Sequence, residues 1–209
     1  MRVQLTDERH TVEGPGLYVV GKLLEKHFSV VADGISILVV LCGIFLTTVA
    51  SRFSVLPAMA LNGIIHCDIV EGAFDTELFY TFISRLLDVM EPFPAPNSVI
   101  VMDNCRIHKH PDILELIESK QCISPFSFQL SLTIIRGMRC EFLPPYSPDY
   151  NPIELAFSYM KYYLRRNGDY ICLAMTELAE DDIHCTLLEA LYSMTESDIF
   201  GWYRHCGYV

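Results

Sequence analysis

The sequence predicts an α/β protein whose mixed sheet is flanked by helices. Three observations carry that expectation. Apolar runs too short for helices crowd residues 28–70, helical periodicity follows at 75–90, and a wholly apolar run at 98–102 stands between two helical stretches. Strands first, then alternating helix and strand, then helices, is the order of an α/β chain with a sheet of mixed direction. The 209 residues are enough for one domain with a sizeable core.

Taken in order, Glu13-Gly14-Pro15-Gly16 reads as a turn and residues 17–27 as a short helix. Phe28–Ala32 is an apolar run closed by Asp33-Gly34, a hairpin-turn pair. Residues 35–50 carry no charge, and their Val, Ile and Thr content favours buried strand. The stretch is shorter than the about 20 residues of a membrane span, although a membrane segment and sequence that packs poorly stay open as alternatives. Arg52–Ile65 reads as strand, Asn62-Gly63 turn, and a second strand continuing to Glu71. Leu78, Phe79, Phe82, Ile83, Leu86, Leu87 and Met90 recur at helical spacing, with Asp75 as N-cap.

Three prolines at 92, 94 and 96 then break the chain. Ser98–Met102 reads as a strand buried on both faces, ending in Asp103-Asn104. Asp112–Lys120 is an amphipathic helix and Glu141–Leu143 a brief strand. Asn151 as N-cap and Pro152 in the first turn open a helix to Arg166, which Asn167-Gly168 stops. Residues 174–194 and Ser197–Arg204 are the last two predicted helices.

Fifteen Lys and Arg against 26 Asp and Glu give a net charge of −11, which argues against autonomous, non-specific nucleic-acid binding. A 51% hydrophobic composition and a mean hydropathy of +0.29 exclude a disordered acidic chain. None of the eight cysteines forms a C-x-x-C pair, so no zinc-finger framework is expected. The polar Met1–His10 is no signal peptide, and scattered thiols then suggest an intracellular, reducing compartment.

Two features carry chemistry. Asp103 stands at the end of a buried strand, where α/β sheets place their sites, although Asp-Asn is also ordinary turn chemistry. In Leu143–Glu154, LPPYSPDYNPIE, four prolines force an extended path into a helix with Glu154 in its first turn. A first-turn Glu complements the helix dipole, which explains the carboxylate but not the rigid lead-in. Such a lead-in suits a carboxylate that must be held closely in place.

VIVMDNCRIH (99–108) together with LPPYSPDYNPIELAFSYMKYYLRR (143–166) resembles the catalytic domain of mariner-superfamily transposases. Residues 52–83 and the ending GWYRHCGYV are similar to fungal members of that family. The resemblance implies an RNase H-like mixed sheet and a DDE endonuclease, in which three carboxylates hold two divalent metal ions. It implies metal-dependent phosphodiester cleavage and DNA strand transfer with Mg²⁺ or Mn²⁺, and no small-molecule cofactor. Asp103 would be the second acid and Glu154 the third, both metal ligands, with Asn104 and His108 accompanying Asp103. Transposon-end DNA, a homo-oligomer and a nuclear location would follow; a membrane partner would not. Two hard cations about 3.5–4 Å apart can activate the attacking oxygen and stabilise the leaving one, and hard cations take carboxylate oxygens.

The sequence departs from that pattern in three places. Asp103 and Glu154 are 51 positions apart, and removing the sixteen residues 121–136 restores the family spacing. Residues 121–136 therefore read as an insertion between a helix and a strand, within an endonuclease-like domain spanning 52–209. Residues 1–51 match poorly, and the first acid is ambiguous. Asp33 ends the better strand, and Asp7, before Glu8-Arg9, is the alternative; either can be a plain turn or terminal aspartate. The basic end-recognising helix-turn-helix domains of such transposases are not expected here, in keeping with the charge. Arg106, Lys109 and His110, with Lys161, Arg165 and Arg166, would form a small positive rim or simply a solvated face.

Two functional classes follow. One is a DDE transposase domain with weak or no cleavage by this chain alone. The other is a catalytically inactive RNase H-like protein acting as a binding or structural module. They differ in whether a third carboxylate converges with Asp103 and Glu154.

Overall fold

Antiparallel pairing comes first along the chain and parallel pairing after it, as the element order requires. The computed structural model describes residues 37–40, 43–47, 52–91, 93, 95–119, 138–167 and 180–209. Strands β3 (Arg52–Ala60) and β4 (Gly63–Glu71) form a hairpin, with Ala60 paired to Gly63. The turn at Leu61-Asn62 delivers Gly63 at φ +133°, a conformation that a side chain would strain.

The other edge of β3 takes both β1 (Ile37–Val40) and β2 (Gly43–Thr47). Val39 pairs with Met59 and Val40 with Ala58; Gly43 then pairs with Val55 and Ile44 with Ser54. Each step forward on one side is a step back on the other, so β1 and the start of β2 share one register against β3, until a bulge between Ile44 and Leu46 shifts it. Residues 35–50 thus contain strand on either side of positions 41–42, as the Val, Ile and Thr content predicts.

Parallel pairing begins where β1 meets β5 (Val99–Met102), with Ile37 opposite Val99 and Val40 opposite Met102. Strand β5 then pairs in parallel with β6 (Arg139–Phe142). All four residues of β5 are buried, as a strand covered on both faces must be.

Alternation in β3 and β5 sends side chains to two cores. Leu56, Ala58, Ile100 and Met102 pack with Phe79, Phe82, Ile83 and Leu86 of α1 (Thr76–Val89) and with Ile113 and Ile117 of α2 (Pro111–Ser119). Phe53, Val55, Met59, Val99 and Val101 face the other way. They meet α3 (Pro152–Arg166), α4 (Glu180–Tyr192) and α5 (Glu196–His205). Helices α1 and α3 begin at their predicted caps, Asp75 and Asn151, and of the helix expected at 174–194 the described part is Glu180–Tyr192. The Asp75 side chain accepts from the Leu78 amide at 2.8 Å, and Thr195 and Asp198 close a reciprocal capping box at the start of α5.

Buried tyrosines tie the C-terminal residues to the rest. Tyr203 donates its hydroxyl to the Met59 carbonyl at 2.6 Å, and Tyr208 donates to the Tyr150 carbonyl at 2.9 Å. Among the described residues no helix is long and apolar enough to cross a membrane. The turn at 13–16, the helix at 17–27, the run at 28–32 with Asp33, Asp7, and the segment 121–136 lie outside the described residues.

Candidate active site

Strand β5 ends at the carboxyl edge of the sheet, and the chain there must leave the core through a polar residue. Asp103 takes that place, half-buried. Its Oδ1 accepts the Cys105 amide at 3.0 Å, closing a tight local turn. His108 stands on a short 3₁₀ turn, Ile107–Lys109, and its ring has no exposed surface. Its Nδ1 lies 2.6 Å from the same Oδ1, and its Nε2 has no hydrogen-bond partner among the described residues. Phe79 of α1 stacks on the imidazole with ring centroids 4.3 Å apart. Burial alone would raise the Asp103 carboxyl, but His108, the Cys105 amide and Lys109 outweigh it and hold the group below the usual carboxylate range.

Asn104 fixes the neighbouring strand end. Its side-chain amide donates to the Leu143 carbonyl, while the Leu143 amide donates to the Met102 carbonyl at 2.8 Å. The exits of β5 and β6 are therefore tied together, and LPPYSPDYNPIE begins from a fixed point. Prolines 144, 145 and 148 keep this segment extended until a 3₁₀ turn at Pro148–Tyr150. Tyr146 sits at φ +56° with its side chain fully exposed. Asn151 is buried and caps α3, accepting from the Ile153 amide at 3.4 Å, and Pro152 follows in the first turn. That cap presents Glu154, exposed, in the first turn of α3.

Asp103 and Glu154 line one cleft of about 230 Å³, whose walls include Asn104, Leu143, Tyr146 and Asn151. The sequence-predicted pair is thus brought to a single opening at the carboxyl end of β5. Asp33 and its alternative Asp7 lie outside the described residues. Of the proposed basic rim, Lys109 is near enough to act on Asp103. Arg165 and Arg166 belong to the last turn of α3, about 16 Å along the axis from Glu154. Sequence reasoning gave His108 no firm role and missed Cys105, whose ligand atom lies with those of Asp103 and His108 within 4.8 Å of one another. The signal for Cys105 was its two-residue offset from Asp103, the spacing of an Asx turn.

Hard carboxylate oxygens facing a cleft suit Mg²⁺ or Mn²⁺. Thiol and imidazole suit softer metals, but the His108 ring is sealed under Phe79 and already turned to the Asp103 carboxylate. Asp103 and Glu154 are therefore donors of the type a hard cation takes, on the walls of one cleft.

An RNase H-like sheet with one acid at the carboxyl end of an inner strand and another in the first turn of the helix beside it defines a nuclease-type fold. A sequence profile described as DDE superfamily endonuclease matches residues 44–175, and the chain belongs to that superfamily, whose members use divalent metal ions. Its fold is that of a mariner-like DDE transposase domain. The catalytic domain of Mos1 mariner transposase is similar at a TM-score of 0.60 and 11% identity, covering 95% of this chain and 91% of that one. The same domain solved with Raltegravir and Mg gives 0.57 and 12% identity, over 93% and 91%. A pre-cleavage Mos1 transpososome gives 0.54 and 11%, over 99% of this chain and 64% of that one. No curated protein matches the sequence.

Proposed function

We propose that this chain is the part of a mariner-like transposase that engages DNA at transposon ends, with Asp103 and Glu154 as the carboxylates that hold its divalent cation. The observation that supports this reading is their convergence on one cleft from two independent devices, a buried strand end and a proline-led helix start. When bound, such a cation neutralises charge on a phosphate and acidifies a coordinated water.

The chain's own residues do the positioning. His108 and the Cys105 amide occupy Oδ1 of Asp103, which leaves Oδ2 for a ligand. Asn104 fixes the wall between the two acids through the Leu143 carbonyl. The N-terminal end of α3 favours the charge of Glu154 and of an incoming phosphate alike. Phosphodiester cleavage and strand transfer are the reactions of this site class, DNA is the partner, and a nuclear location follows from the substrate. One copy per transposon end makes the working unit a homo-oligomer.

Manganese titration followed by electron paramagnetic resonance tests the site. The expected result is Mn²⁺ binding that weakens more than about tenfold in both Asp103→Ala and Glu154→Ala, since even outer-shell losses cost that much. Binding unchanged in either variant would remove that residue from the site.

A further inference from the structure

We propose that the site described above holds one divalent cation rather than a pair, because the first strand of the sheet brings it no carboxylate. This rests on the reading of Asp103 and Glu154 as cation ligands. In a sheet with parallel central strands, groups from adjacent strands meet when their residues are level. Val39 is level with Val101 and Val40 with Met102, the residue before Asp103. The two residues that follow β1 in the sequence are Leu41 and Cys42, and neither is a carboxylate.

Strand β1 and the first two residues of β2, Gly43 and Ile44, keep one register against β3, which shifts before Leu46. The whole stretch 37–47 reads ILVVLCGIFLT and contains no Asp, Glu, Asn or His. Asp33 precedes Ile37 by four residues, and Ile37 pairs with Val99, the β5 residue farthest from Asp103.

The donor count then decides the stoichiometry. Oδ1 of Asp103 is engaged by the Cys105 amide and by His108, so Asp103 offers Oδ2, and Glu154 offers its exposed carboxylate. Mg²⁺ is commonly held by one or two carboxylates with water completing its shell, which this set satisfies. Two cations about 3.5–4 Å apart would place four positive charges against two negative ones without a bridging group. The chain would bind DNA phosphate through its single cation and lack the clamp on both attacking and leaving oxygens.

The experiment counts ions. Mn²⁺ stoichiometry is measured on the whole chain by electron paramagnetic resonance and calorimetry, beside Asp33→Asn, Asp7→Asn, Leu41→Asp and Val39→Asp, each checked by thermal melting. We expect one Mn²⁺ per chain, unchanged by Asp33→Asn and Asp7→Asn. A second ion should appear in at least one of the two variants that add a carboxylate to the strand, with plasmid nicking following it. Two ions in the parent chain, or loss of affinity in Asp33→Asn or Asp7→Asn, would overturn the proposal. So would failure of both added carboxylates to gain an ion in variants that melt like the parent. Absence of any Mn²⁺ that depends on Asp103 and Glu154 would instead refute the site itself.

Discussion

The two acids of the cleft are held in opposite ways. Asp103 is half-buried, bonded on one oxygen to its own loop and to a histidine sealed under Phe79. Glu154 is exposed, and what is fixed is the backbone beneath it: a buried Asn151 cap, a proline at the first helical position, and the Tyr150 carbonyl held by Tyr208. One arm is rigid at the carboxylate and the other is rigid at the helix. Under the proposed reading, a cation entering such a cleft would find one fixed carboxylate and one that can swing to meet it.

Phe79→Ala should have the largest effect. Truncating a fully buried phenylalanine costs about 3–5 kcal/mol, read as a lower midpoint in urea. Because Phe79 also covers His108, Mn²⁺ affinity of the folded fraction should fall with it. Unchanged affinity would show that the rigid arm does not depend on its packing.

Asn151→Ala and Tyr208→Phe address the other arm. Loss of a helix cap costs about 1 kcal/mol, and loss of the Tyr208 hydroxyl about as much because the Tyr150 carbonyl loses its donor. Chemical denaturation should show both. If the contrast between the arms is correct, Asn151→Ala changes Mn²⁺ affinity less than His108→Ala does, since Glu154 retains freedom to reach the ion.

Acid sensitivity sharpens the contrast further. Asp103 titrates below its ordinary range in the folded chain. A group of that kind contributes stability above its unfolded pKa of about 3.9, and the contribution is lost as pH falls through the folded value. Asp103→Asn should therefore flatten part of the stability loss below about pH 4. Denaturation midpoints measured between neutral and acid pH check this, and an unaltered acid limb would show that His108 does not hold the carboxylate.

The smallest effect is expected from removing residues 121–136. Loop closure entropy changes by only about 0.6 kcal/mol for each doubling of length, so the shortened chain should melt close to the parent. A large loss of stability would mean that this segment packs into the domain.

Much of this was legible locally. Val99–Met102 is apolar at every position, the pattern of a strand covered on both faces. Asp75 and Asn151 announce their helices because a cap is a contact between near neighbours. The two acids were legible for the same reason: each sits where a local element ends or begins. What local pattern cannot carry is pairing across distance. Nothing in residues 37–40 indicates that they run antiparallel to β3 and parallel to β5, and the level of the first strand relative to Asp103 follows from that pairing alone. His108 was equally opaque. A histidine on a short polar turn reads as a surface residue, and its burial depends on Phe79, which belongs to a helix that precedes it by more than one element.

The hydrogen bond from Tyr208 to the Tyr150 carbonyl spans 58 positions and sets an order of events during synthesis. Helix α3 and the turn that leads into it can form as soon as they leave the ribosome, but their anchor does not yet exist. Until the later residues arrive, the segment before Glu154 must sample orientations that α5 and the tyrosines beyond it would forbid. Contacts of such high sequence separation form late and slowly. A nascent chain would consequently display Asp103 in its finished setting while Glu154 was still wandering. Assembly of the acidic pair is thereby deferred to the closing stage of folding.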